Sequence, residues 1–403
     1  MKSYYIGLDI SNQETSICIL DEAGNIVKEL ISQSTPQDIA RAIRSTGYAV
    51  TAIGLETGCM SDWITGELRK CFDADVSNGL NYWRVLCLNS FKVAKLLGMN
   101  INKTDQNDAR MIAEVVRISC FSKQINLEVY SKSPDSRQIR SLIKIRQNNV
   151  RRRLSVYNEI RGTLKSFGII LSTASPSEFC VMVKDTIQGL PPYLVIAITS
   201  SLNIYESLNK EVDILTKSIE EIADKNEDVQ RLTLLPGVGS LTALHYVATI
   251  EDPNRFKDSK DVGAYLGLTS SQCSSGEQVK MLGISKRGDP ILRSLLFEAA
   301  TVILYRTKRK SALKEWGHKL EKKLGSKKAR VALARRLAVI MLEIFKTKQP
   351  FIEPTKTSKR KRVEHALTTE ELQILLDLSK EKGSISARNI KELKPLTASC
   401  TIR

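Results

Sequence analysis

The first hundred residues are patterned as three consecutive strands followed by alternating helix and strand, an order that few layered folds accommodate. Residues 4–10 (YYIGLDI) and 15–20 (TSICIL) have the β-branched and aromatic enrichment of strands. DEAGN then reads as a tight hairpin turn before a third strand near IVKEL. Pro36 to Arg44 has helical spacing, and 49–56 (AVTAIGLE) is a buried strand ending in a carboxylate. A helix is expected over 61–71, a short apolar strand at 85–89 (VLCLN), then a helix in SFKVAKLLG. A meander that gives way to helix–strand alternation predicts a mixed α/β sheet with helices packed on it.

From about Pro134 the pattern becomes helical. Ile139, Ile143, Val150, Leu154, Tyr157, Leu164 and Phe167 recur at helical spacing with arginines and lysines between them. Leu208, Val212, Leu215, Ile219 and Ile222 follow in steps of four and three. Sustained 3.5-residue spacing predicts two long helices, paired either as an intrachain hairpin or as an oligomer seam. Beyond Leu234 a compact, mostly helical region runs to about Phe351. The expected division is 1–130 (α/β), 131–230 (coiled coil), 231–352 (C-terminal domain) and 353–403. That last segment has a basic linker (Lys356, Lys359, Arg360, Lys361, Arg362) and a short helix announced by the Thr368/Glu371 capping-box pattern.

Charge bears on partners. Lys+Arg 61 against Asp+Glu 44 gives +17, an excess suited to a polyanion because cationic side chains displace condensed counterions from phosphates. The 8 Cys have no C-x-x-C spacing and there are only 3 His, which argues against a zinc site or a disulfide scaffold. No apolar run of about 18 residues predicts a membrane span. The N-terminus enters a strand with no apolar leader pattern, so a cytoplasmic location is expected.

Four carboxylates stand where metal chemistry could use them. Asp9 ends the first strand in GLDIS, and Glu56 ends a later one in GLETG. Asp105 and Asp108, in KTDQNDA, lie three apart at a helix start and therefore on one helical face. Hard divalent cations such as Mg2+ or Mn2+ take oxygen ligands, often a few carboxylates completed by water and substrate phosphate. Two such ions about 3.5–4 Å apart would serve both oxygens of an in-line displacement. In LLPGVGSLTA, the turn with Gly237 and Gly239 opens a helix whose N–H groups can face a phosphate, resembling a helix-hairpin-helix contact. Further on, Ser274 and Ser275 precede Gly276, and Lys286 and Arg287 follow; Arg151, Arg152 and Arg153 add cations on the long helix. By themselves the acids predict metal-dependent cutting and leave the attacking group open, water or serine.

Taken together, GLDIS, LETG, KTDQNDA, LLPGVGSLTA, RFKDSKDVGAYLGLTSSQ, SSG, ISKRG and KKARVALARRLA resemble the DEDD transposases of the insertion-sequence one-ten family, bridge-RNA-guided recombinases. The resemblance covers about residues 3 to 352. It implies a ribonuclease-H-like (RuvC-like) N-terminal domain whose acids, here Asp9, Glu56, Asp105 and Asp108, bind metal. It implies a nucleophilic serine that becomes linked to DNA, here Ser275 with Ser274 as the alternative. It also implies donor and target double-stranded DNA as substrates, a structured noncoding bridge RNA, and a dimer or tetramer in which the acids of one subunit meet the serine of another. The rival is a junction-resolving nuclease in which water attacks directly.

Overall fold

The computed structural model describes residues 3–77, 84–97, 104–122, 127–275, 278–308 and 311–351; the expected linker and helix of the 353–403 tail lie outside them. The chain forms two compact units, Met1–Pro134 and Asp135–Arg403.

In the first unit β1 (Tyr4–Ile10), β2 (Glu14–Leu20) and β3 (Ile26–Gln33) form the antiparallel meander. Next come α1 (Pro36–Arg44), β4 (Val50–Glu56), α2 (Ser61–Ser77), β5 (Arg84–Leu88), α3 (Ser90–Leu97) and α4 (Asp105–Phe121). The sheet order is β3-β2-β1-β4-β5, with β4 and β5 parallel to β1. Period-two alternation gives each face its own core. Ile6, Leu8, Ile17, Ile19, Ile53 and Leu55 pack with Ile39 and Ile43 of α1 and Ile64, Leu68 and Phe72 of α2. On the opposite face Tyr5, Ala52, Leu86 and Leu88 meet Ile112, Val115 and Val116 of α4. That second contact is unusually close. A Cβ on Gly7 would collide with the Ala109 carbonyl and the Ala113 backbone, and one on Gly54 would collide with the Val116 side chain. Glycine is therefore required in the middle of both strands, despite its unfavourable strand propensity.

In the second unit α5 (Pro134–Ser166) and α7 (Pro192–Asp224) are each 33 residues, about 50 Å long at 1.5 Å per residue. Arg146 Nε donates to Thr216 (2.8 Å), Arg153 Nη1 to Asn209 (3.0 Å), and Ser201 to Glu159 (2.9 Å). The partner number falls as the other rises, so the two helices form an intrachain antiparallel pair. At the distal end Ile160, Leu164, Ile198, Leu202 and Tyr205 close on α6 (Pro176–Thr186), which starts with a complete Ser175/Glu178 capping box. Leu154 (58%) and Phe167 (57%), expected on the buried stripe, are exposed; Ile160 takes a core position that the spacing did not pick out. The seam rotates around α5 because an α-helix repeats at 3.6 residues rather than 3.5.

The proximal ends of the pair share one apolar core with the C-terminal elements. These are α8 (Glu227–Thr233), α9 (Ser240–Ile250), α10 (Asp261–Tyr265), β6 (Ser270–Ser275), β7 (Gln278–Ile284), α11 (Pro290–Thr301), α12 (Ala312–Leu324) and α13 (Ser326–Thr347). Change of pattern near residue 230 is thus not a gap in the core. Tyr246 is fully buried at the centre, its hydroxyl donating to the Ala338 carbonyl at 2.6 Å. Among the described residues no helix is long and apolar enough to cross a membrane.

Candidate active site

Two of the acids, Asp9 and Glu56, stand at the same end of the sheet. The β1–β4 ladder ends in the pair Leu8↔Leu55, so Asp9 and Glu56 are the next residues on adjacent parallel strands and stand level. Each follows by two the glycine pressed against α4, and alternation sends both carboxylates to the α4 side. Helix α4 runs back across that face. Arg110 pairs with Glu29 in the middle of β3 (2.6 Å), whereas Arg117, two turns later, donates to the Glu22 carbonyl beyond β2 (3.1 Å). Its first turn therefore points to the end of the sheet that carries Asp9. Gln106 and Ala109 border an open groove with Ser16, the residue paired with Asp9.

Thr104 caps α4, its hydroxyl accepting from the Asn107 amide at 3.2 Å. Asp105 and Asp108 are thereby left in the first turn, where the helix dipole favours negative charge. Asp105 is exposed and the other three acids are half-buried. Hard oxygen donors of this kind suit Mg2+ or Mn2+. Among the described residues no three carboxylate, histidine or cysteine side chains stand close enough to hold an ion by themselves. The fold thus sets Asp9 beside Glu56 and turns the start of α4 toward them, without drawing the four into a closed cage.

The second unit presents Ser275 at the last paired position of β6, opposite Gln278, with Ser274 opposite Val279. The sequence offers no strand signal here, yet the stretch is a strand paired antiparallel with β7. Its register comes from pairing with the alternating QVKMLGI strand, since SSQCSS has little strand propensity of its own. The hairpin base is a close backbone contact. A Cβ on Gly288 would strike the Tyr265 carbonyl and Leu266, and one on Gly267 (φ 68°) would meet the Arg287 amide at 2.6 Å. Lys286 is held at φ 56°, its amide donating to the Gly267 carbonyl, and both Lys286 and Arg287 are exposed. Gly237 (φ 77°) is likewise closely packed, its Cβ position 2.7 Å from the Ala299 carbonyl, whereas Gly239 has open space and is the N-cap of α9. Arg151 and Arg152 are exposed; Arg153 turns into the helix seam.

Residues 229–316 match the model of the transposase IS116/IS110/IS902 family, and residues 6–169 match the DEDD transposase model of IS110. The transposase for insertion sequence element IS1328 of Yersinia enterocolitica is 30% identical over 240 residues, 59% of this chain and 70% of that protein. This chain belongs to the IS116/IS110/IS902 family of transposases. The transposase for insertion sequence element IS1111A of Coxiella burnetii is 28% identical over 347 residues, 83% of this chain and 88% of the relative. A probable family 20 transposase of Pseudomonas aeruginosa is 27% identical over 342 residues, covering 83% and 95%.

One polar cluster in this transposase escaped the sequence reading. Asp289 Oδ1 accepts from His245 Nε2 (3.1 Å) and from the Ile291 and Leu292 amides (2.9 Å each), while Oδ2 accepts from Arg140 Nη2 (3.1 Å). Burial acts to raise the Asp289 pKa, but His245, the Leu292 amide and Arg140 outweigh it and hold the carboxyl well below the usual range. Asp289-Pro290 is a recognisable cap-then-proline helix start. Nothing in sequence connects it to residues 44 and 149 positions away.

Proposed function

We propose that this transposase cuts and rejoins DNA by serine attack assisted by a divalent cation, with a structured noncoding RNA choosing donor and target sites. The observation that carries the reading is the level placement of Asp9 and Glu56 on adjacent parallel strands, with Asp105 and Asp108 opening the helix that covers them. A ribonuclease-H-like fold agrees with the sheet order, an antiparallel meander extended by parallel strands.

Asp9, Glu56, Asp105 and Asp108 would hold Mg2+ or Mn2+, which when bound supplies charge neutralisation at the scissile phosphate. Ser275 is the nucleophile: its Oγ bonds to phosphorus, the bond to the 3′ oxygen breaks, and that oxygen leaves as a hydroxyl after taking up a proton. After strand exchange a 3′-hydroxyl attacks the phosphoserine and releases the serine. Lys286, Arg287, Arg151, Arg152 and the Gly239 amide are the proposed phosphate contacts. Arg153 is held in the helix seam by Asn209 and the Val238 amide by the Leu235 carbonyl, so neither of these is among them. The composite arrangement implied by the family, acids of one subunit with the serine of another, makes the working species a dimer or tetramer, in a cytoplasmic setting.

The test is trapping. Incubated with DNA carrying its element ends, and with the RNA that copurifies, the wild-type protein should give a protein–DNA adduct that survives boiling in detergent. Ser275→Ala, with Ser274 intact, should give none. Cleavage without an adduct would establish water as nucleophile and the junction-resolving nuclease reading. Sequencing the copurified RNA should return one defined species; a heterogeneous background would remove RNA guidance.

A further inference from the structure

The Asp289 cluster joins three elements that are distant in sequence: α5 through Arg140, α9 through His245, and the cap of α11 through Asp289 itself. His245 is almost wholly buried (1% exposed). Because Asp289 Oδ1 accepts, His245 Nε2 must carry the proton, which makes Nδ1 the acceptor in the neutral ring. Among the described residues Nδ1 has no hydrogen-bond partner. A carboxylate-oriented imidazole with its second nitrogen unused has the outline of a general base. Burial argues against that role: the imidazole is 1% exposed and its bonded nitrogen is committed to the Asp289 carboxylate, so a DNA phosphate has no open approach to it.

The cluster adjoins the base of the hairpin. Asp289 follows Gly288 directly, and Gly288 is pressed against the Tyr265–Leu266 backbone so closely that it has no room for a Cβ. Arg293 Nη1 binds the Leu266 (3.0 Å) and Gly288 (3.2 Å) carbonyls together. The Ser285 and Lys286 amides donate to the Thr269 and Gly267 carbonyls, closing the first rung of the hairpin. Each strand therefore leaves a backbone clamp whose outer side is fixed to Asp289.

We propose that Arg140, His245 and Asp289 are positioning residues that set the direction of the β6–β7 hairpin and so the reach of the serine at its end. The proposal rests on the serine reading of the reaction. It also carries a structural consequence independent of chemistry: releasing Asp289 should loosen the hairpin before it loosens the core. A two-stranded hairpin is marginal unless its base is held, and an attacking atom misplaced by an ångström can lose about a hundredfold in rate.

The experiment compares wild type with Asp289→Ala, Asp289→Asn, Arg140→Gln and His245→Gln, all in the full chain. Three quantities are read: the rate of adduct formation at saturating DNA, the DNA affinity, and hydrogen exchange over residues 267–286. Asn keeps an acceptor for the α11 amides and His245, and Gln at 245 keeps a donor for Asp289. Asp289→Ala and Arg140→Gln should slow adduct formation about ten- to a hundredfold with DNA affinity unchanged, and hairpin amides should exchange faster while α9 and α13 stay protected. Asp289→Asn and His245→Gln should recover part of the rate. Wild-type rate and protection in Asp289→Ala and Arg140→Gln would overturn the proposal. So would a rate loss matched by equal loss of affinity or by deprotection of the whole unit. Arg140, partly exposed, supplies the variant that folds if a core substitution does not. A wild-type protein that forms no adduct would count against the serine reading alone, and hydrogen exchange at 267–286 would still decide whether these residues hold the hairpin.

Discussion

Gly7 shows how much a single residue can decide. Its α-carbon lies against the α4 backbone, and a methyl group there would overlap the Ala109 carbonyl and the Ala113 backbone. Gly7→Ala should therefore destabilise the first unit by about 1–3 kcal/mol or more, read as a lowered urea midpoint, and should displace the first turn of α4. The loss of DNA cleavage should exceed what the stability change explains, because Asp105 and Asp108 move with that turn. Asp289 acts through charge. Its folded pKa lies below the ordinary value, so its contribution to stability is complete above the unfolded pKa, near 4, and is lost as pH falls below that toward the folded value. Thermal melts taken from pH 6 down to pH 3 should show a steeper acid decline for wild type than for Asp289→Asn, which carries no titrating carboxyl. Parallel declines would show that other carboxylates dominate the acid limb.

At the scale of elements, caps and strand ends put the acids in place. Helix α4 begins where Thr104 turns its hydroxyl to the Asn107 amide, with Asp105 as its first residue. Removing the cap by Thr104→Ala should cost about 1 kcal/mol and let the first turn fray. The expected readouts are a small fall in melting temperature and a clearly larger fall in cleavage rate. Equal effects on both would mean that the acids tolerate a frayed helix start. The long pair α5/α7 shows another side of element-scale reading. Two helices of heptad-like spacing were legible in sequence, but their alignment depends on Arg146 with Thr216 and Arg153 with Asn209, pairs that no periodicity records. Arg146 is buried enough that its pKa is lowered, with the nearby Arg153 charge adding to the effect. These arginines serve the seam, while Arg151 and Arg152 remain exposed.

For the whole molecule, the +17 charge predicts steep salt dependence. With six or more phosphates neutralised, affinity for duplex DNA should fall roughly a thousandfold between about 50 and 200 mM salt. A shallow slope in a filter-binding titration would mean that most of the cations do not face nucleic acid. The sequence by itself determined the sheet's strands, the carboxylates at their ends and the helix that opens on Asp105. Those features are encoded in runs of neighbouring residues, through alternation, capping and turn chemistry. It also carried the family resemblance that the comparisons establish. Tertiary structure alone decided that Asp9 stands level with Glu56, that SSQCSS is a strand, and that Asp289 joins His245 to Arg140. Each of these depends on register or packing between segments far apart in the chain. A one-residue slip of β4 against β1 would send Glu56 to the opposite face, and the packed glycines Gly7 and Gly54 beneath α4, with Ile53 and Leu55 buried on the other side, fix that register.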